Sequence, residues 1–214
     1  MPYLNNRMTI SALFIMLLCA GFSTQLRAEE DLQAPQKVIQ QVSSQIQEKF
    51  KDKAFTKNFS QVTEYVDSVI DKHADFDRIA VLVLGKNWKA ATADEQSRFK
   101  KEFKLQIVRV YSRAFVEYND WKLSFLPLEQ SGEKTKVLVK TEVLQPDQPA
   151  VEVNYRMFSS HGDWKVYDII IGGVSLITNY RASYNEEIQR KGSLSALIDE
   201  IAKSNADALK AKGR

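Results

Sequence analysis

Along this chain the spacing of apolar residues changes twice, from steps of four to steps of two and back to four. That order constrains the fold more than any single motif does. Val38, Val42, Ile46 and Phe50 recur every four residues behind Pro35, with Gln, Ser and Lys between them, the pattern of an amphipathic helix whose first turn accepts proline. From Trp121 onward the apolar residues alternate instead, and after Gly172-Gly173 the four-residue step returns. Helices first, then consecutive strands, then helices predict an α+β domain built on an antiparallel sheet, rather than alternating β-α units around a parallel one.

The first helical region holds three more segments. Val62, Tyr65, Val66, Val69 and Ile70 share one face of a helix over about Phe59 to His73. Ile79 to Leu84 is continuously apolar up to Gly85, and periodicity leaves helix and strand both open there. Thr92 and Glu95 form a capping box, in which each side chain satisfies a free backbone N–H. The stripe Phe99, Phe103, Ile107, Tyr111 and Phe115 follows it, wide enough to be ordinary core.

Trp121, Leu123 and Phe125 share one strand face, and Pro127 ends that strand. Val137, Val139, Thr141 and Val143 alternate with charged residues, as do Val151, Val153, Tyr155 and Met157. The turn Ser159-Ser160-His161-Gly162-Asp163 leads into a last strand, Trp164 to Ile171. A helix from Leu176 to Arg190 comes next, with Gly192 suited to its C-terminal stop. Ser193 suits the cap of a final helix carrying Leu194, Leu197, Ile198, Ile201 and Leu209.

Residues 1–28 read as a cleavable export signal, with Arg7 ahead of the apolar core Ile10 to Ala20. That core is shorter than the roughly 20 residues a membrane-spanning helix needs. Cys19, the single cysteine of the sequence, lies inside it, so residues 29–214 form one predicted domain without thiol or disulfide. The leader holds Arg7 and Arg27 and no acid. Beyond it 28 of the 30 basic residues face all 27 acids, so the net charge is +1 rather than +3. Nucleic-acid binding requires a concentrated basic field, which this balance excludes.

The inventory of reactive groups is thin. His73 and His161 do not make a metal-ligand spacing, and no nucleophile elbow, phosphate loop or dinucleotide fingerprint is present. No cofactor or metal is expected. Tyr167-Asp168 is the one pair suited to acid–base work on an apolar substrate, as in a small cone-shaped isomerase or dehydratase. A structural hydrogen-bonding role is the other reading of that buried carboxylate. Arg98, Lys100, Lys101 and Lys104 form a basic row, either a solvated helix face or a surface that steers docking.

Certain blocks, taken together, are specific. Asp75-Phe76-Asp77, Leu84-Gly85-Lys86-Asn87-Trp88 and Ala91-Thr92, with Gln96, Phe99 and Phe103, resemble the MlaC, or toluene-tolerance, family. So do Trp164-Lys165-Val166-Tyr167-Asp168, Gly173-Val174-Ser175-Leu176, Tyr180-Arg181 and Lys191-Gly192. The likeness runs in order from about Val38 to Ile201. Lys72 stands where relatives often carry proline, and Gly172 where they often carry glutamate. The resemblance implies a curved antiparallel sheet of about four strands, wrapped by helices around an apolar lipid cavity. It also implies a periplasmic phospholipid carrier rather than an enzyme. Such a carrier shuttles lipid between an outer-membrane lipoprotein–porin complex and an inner-membrane ABC transporter with a lipid-binding ring, and so maintains outer-membrane asymmetry. A chaperone for acylated protein would hide acyl chains in the same way. By alternation, Val139, Val153, Tyr155, Met157, Ile169 and Ile171 are the lipid-binding candidates on the sheet. Helical spacing adds Phe103, Ile107 and Tyr111. The face of the last strand stays ambiguous, since Val166 and Ile170 point oppositely to Ile169.

Overall fold

The computed structural model describes residues 32–117, 120–128, 135–160 and 162–210; the leader over 1–28, Cys19 and His161 lie outside them. In chain order come α1 (Ala34–Phe50), α2 (Phe59–Ile70), α3 (Phe76–Leu84), the short α4 (Lys86–Ala90) and α5 (Ala93–Glu117). The strands follow: β1 (Lys122–Phe125), β2 (Lys136–Leu144), β3 (Val151–Ser160), β4 (Asp163–Ile171) and β5 (Val174–Ser175). Last come α6 (Leu176–Lys191) and α7 (Leu194–Lys210). The sheet has the order β1-β2-β3-β4-β5 with every neighbour antiparallel.

The sheet has five strands where four were expected. Gly172 (φ 55°) and Gly173 (φ 83°) do break β4, yet they turn the chain back so that Ile171 pairs with Val174. Two successive positive φ angles make the tight turn that matches strand twist, and glycine adopts them without a Cβ penalty.

A bulge removes the ambiguity of the last strand. Tyr155 pairs with Ile169 and Arg156 with Asp168, but Met157 pairs with Val166, so β4 holds one residue more than β3 across this step. The extra residue resets the alternation, and Val166 faces the same way as Ile169. Residues 73–75 lie beside the bulge. The Val166 N–H donates to the His73 carbonyl at 2.8 Å, and the Asp75 N–H donates to the Val166 carbonyl at 2.9 Å. The second helix therefore ends at Ile70, short of the expected His73, because its continuation is committed to β4.

Ile79 to Leu84 is helical. The Asp75 carboxylate accepts from the Arg78 N–H at 2.9 Å, an N-cap that starts α3. The Thr92 capping box starts α5: the Thr92 hydroxyl accepts from the Glu95 N–H at 3.2 Å, and the Glu95 carboxylate from the Thr92 N–H at 2.9 Å. Thr92→Ala is expected to cost about 1 kcal/mol, read as a lower urea midpoint with an unchanged slope.

Helix α1 is fastened along the edge strand. The Gln36 side-chain amide donates to the Leu126 carbonyl at 3.1 Å, and that of Gln47 to the Trp121 carbonyl at 2.6 Å. Eleven helical residues and five extended ones both span about 16 Å, so the two bonds match in pitch and run antiparallel. Gln36 is accordingly buried, and the buried stripe of α1 runs through Ile39, Ser43, Ile46 and Phe50, leaving the expected Val38 and Val42 at its margins. In α7 the stripe likewise includes Asn205, whose amide donates to the Glu102 carbonyl at 2.9 Å, while Leu209 is half-buried.

Candidate functional site

The α5 stripe serves two purposes along its length. Phe99 is fully buried and stacks on Phe103 at 5.3 Å between ring centres, and Tyr184 packs edge-on against both. With Ile198 and Leu84 they make a solid core between α3, α5, α6 and α7. One turn further on, Phe103, Ile107, Tyr111 and Phe115 face open space.

That space is a cavity of about 350 Å³ between the inner face of the sheet and helices α1, α2, α3, α5 and α6. A single water needs only roughly 10–15 Å³. Val153, Tyr155, Ile169 and Ile171 line it from β3 and β4, and Phe103, Ile107 and Tyr111 from α5. The structure thus brings seven of the nine candidate residues around one cavity.

Val139 and Met157 are not on the cavity wall. Both are fully buried in a close-packed cluster with Ile39, Phe125 and Val166, where β2 begins and β3 ends. Val139 is the cross-strand partner of Tyr155, and Met157 lies two residues beyond it. Alternation identified their face correctly; it carries no information about distance along the strand, and helix α1 and Trp164 pack this end shut. Residues that sequence reasoning did not assign to the wall come mainly from the helices, among them Val42, Ile46, Ile70, Phe76 and Ile79. Their apolar spacing was visible, but a side chain facing a cavity leaves the same periodic trace as one facing core.

On the wall Tyr111, Tyr155, Tyr180 and His73 are held neutral, while the Asp168 carboxylate, which also lines it, is paired with Arg156. Burial pushes the Tyr111 and Tyr155 phenols up to about 12, the latter against an opposing hydrogen bond from Thr141, and it raises Tyr180 as well. Tyr155 is half-buried and lines the cavity. Burial, with Lys72 and Lys165 nearby, lowers His73. Phenols stay protonated and the imidazole uncharged at neutral pH, so these side chains bring no charge to the wall.

The Tyr167-Asp168 pair sits at the margin. Asp168 is 4% exposed. Its carboxylate accepts from Arg156 Nη1 at 2.8 Å, from the Ser175 hydroxyl at 2.7 Å and from the Ile177 N–H at 3.2 Å. It joins β4 to the first turn of α6, where a negative charge meets the positive end of the helix dipole. Tyr167 faces Phe158 edge-on, and the Arg78 guanidinium lies 3.7 Å over the Phe158 ring. Among the described residues no three His, Cys, Asp or Glu side chains gather as a metal site, and no helix is long and apolar enough to cross a membrane.

The basic row does not form a bare patch. Lys104 lies 2.9 Å from Asp67 and 2.6 Å from Asp71, Lys100 lies 2.7 Å from Asp77, and Arg98 pairs with Asp199. These pairs lace α5 to α2, α3 and α7.

Residues 36–203 match the model of the MlaC protein family. The chain belongs to the MlaC family. Among its relatives, the toluene tolerance protein ttg2D of Pseudomonas putida is 24% identical over 184 residues, spanning 82% of this chain and 85% of that one. The intermembrane phospholipid transport system binding protein MlaC of Haemophilus influenzae is 25% identical over 125 residues, 57% of this chain and 58% of that one. The phospholipid-binding protein of Ralstonia solanacearum, solved in complex with a phospholipid, superposes with a TM-score of 0.75 at 26% identity, covering 82% of this chain and 99% of that one. Lys72 and Gly172 are both exposed and off the cavity wall.

Proposed function

We propose that the chain is a phospholipid carrier of the periplasm and not an enzyme, exported by removal of residues 1–28. The observation that carries this reading is the cavity: a largely apolar wall whose carboxylate, Asp168, is paired with Arg156, in a MlaC-family fold whose Ralstonia relative was solved with a phospholipid. The wall residues proposed to touch acyl chains are Val153, Tyr155, Ile169 and Ile171 from the sheet and Phe103, Ile107 and Tyr111 from α5.

The energetics explain why such a protein is needed. Each methylene kept from water is worth about 0.8 kcal/mol, so a sixteen-carbon chain exposed to water costs on the order of 12 kcal/mol. A cavity about as apolar as the bilayer makes extraction nearly neutral. Near neutrality also means that the carrier sets no direction. In this reading the partners do: an inner-membrane ABC transporter with a lipid-binding ring, and an outer-membrane lipoprotein–porin complex.

The alternative of an isomerase or dehydratase using Tyr167 and Asp168 is disfavoured by the three hydrogen bonds that occupy the Asp168 carboxylate. The test is purification of the mature chain without detergent, solvent extraction and mass spectrometry. Close to one phospholipid per chain is the expected result. An empty extract overturns the proposal, and an acylated protein in its place identifies a lipoprotein chaperone.

A further inference from the structure

The cavity stops where the packed cluster around Val139 and Met157 begins. Five residues belong to both regions: Ile39 and Val166 are buried members of the cluster that also line the cavity, and Leu123, Tyr155 and its cross-strand neighbour Ile169 line the cavity and pack against the cluster. Directly beyond Tyr155 and Ile169 on the same face, Val139 and Met157 are fully buried. The other end of the wall is open. Val151 lines the cavity and is 40% exposed, and Val174, the cross-strand partner of the lining residue Ile171, is 57% exposed. Along β3 the wall therefore runs from Val151 through Val153 to Tyr155, four residues or roughly 13 Å, and Tyr155 presents the largest side chain in the barrier at its closed end.

We infer that Tyr155 is a specificity-determining residue that closes the acyl-chain compartment and sets the chain length the protein accepts. The inference rests on the carrier reading above. A chain longer than the compartment leaves methylenes in water that were buried in the bilayer, and each one disfavours the longer lipid by about fourfold. Replacing the ring by a methyl group opens the compartment toward Val139 and Met157 and removes that discrimination.

The test uses the mature chain and vesicles of phosphatidylethanolamines in equal amounts, with matched chains from myristoyl to arachidoyl. The lipid taken up is weighed by mass spectrometry against the vesicle composition. Wild type is expected to discriminate against the longest chains. Tyr155→Ala should raise the longest-to-shortest ratio by about fourfold for each methylene it admits, and Tyr155→Phe, which keeps the ring, should restore the wild-type distribution. Should Tyr155→Ala fail to fold, Ile169→Ala opens the same barrier from the neighbouring strand and is expected to shift the ratio in the same direction. Variants that load lipid with the wild-type distribution overturn the inference alone. A wild-type chain that takes up no lipid overturns the carrier reading and this inference with it.

Discussion

Val153→Glu is expected to yield a folded protein without lipid, and Met157→Glu is expected not to fold. The two positions lie four residues apart on one face of β3, and a helical or strand pattern treats them alike. Val153 is half-buried on the cavity wall, so a glutamate there can turn its carboxylate toward the open end and keep part of its hydration. The fold survives, but an acyl chain would then have to lie against a charge, and an unpaired charge in an apolar site costs several kcal/mol. That removes most of the gain from sheltering the lipid. Met157 has no exposed surface and does not line the cavity. A carboxylate in that cluster meets only apolar neighbours, and its cost is comparable with the 5–15 kcal/mol that holds a typical domain together. Circular dichroism melts and extracted lipid, measured on both variants, check the pair of outcomes. Normal lipid content in Val153→Glu would show that the wall has been misassigned.

Asp168→Ala is expected to destabilise the protein by about 3 kcal/mol while leaving the lipid content of the folded fraction unchanged. The variant strips an acceptor from a buried N–H at Ile177 and from the Ser175 hydroxyl, and it leaves Arg156 unpaired. Losing a buried acceptor costs about 1–3 kcal/mol, and here two donors lose theirs while the Ser175 cap of α6 stays in place. Arg156 is nearly half exposed and rehydrates, so its share of the loss is small. Asp168→Asn keeps one carbonyl oxygen and should fall between the two. Urea unfolding gives the stability. An acid–base role would produce the reverse pattern, a stable Asp168→Asn protein that has lost turnover, and that result would revive the enzyme reading.

Much of this architecture is written in local chemistry. The Thr92–Glu95 capping box, the Gly192 stop and the alternation of β2 and β3 each depend on residues within a few positions of one another. Their structural consequences are accordingly the ones anticipated. The resemblance to MlaC proteins rested on blocks of the same local kind. Where expectation and structure part, the deciding partner is remote in sequence. The second helix stops at Ile70 because residues 73–75 bond to Val166, and the stripe of α1 is rotated because Gln36 and Gln47 find carbonyls at Leu126 and Trp121. The β4 bulge places Val166 and Ile169 on one face against a strict alternation.

The order of elements, their polar and apolar faces and their caps were determined by the sequence by itself, because hydrogen-bond satisfaction at helix ends and the periods of helix and strand are short-range constraints. Tertiary structure alone decided which apolar faces meet and which stand apart. Whether Tyr155 borders a cavity while Val139, its own cross-strand partner, is packed solid depends on how closely α1 and α5 approach the sheet at each point. That approach is a balance of side-chain volumes summed over elements far apart in the chain, and no local pattern records it.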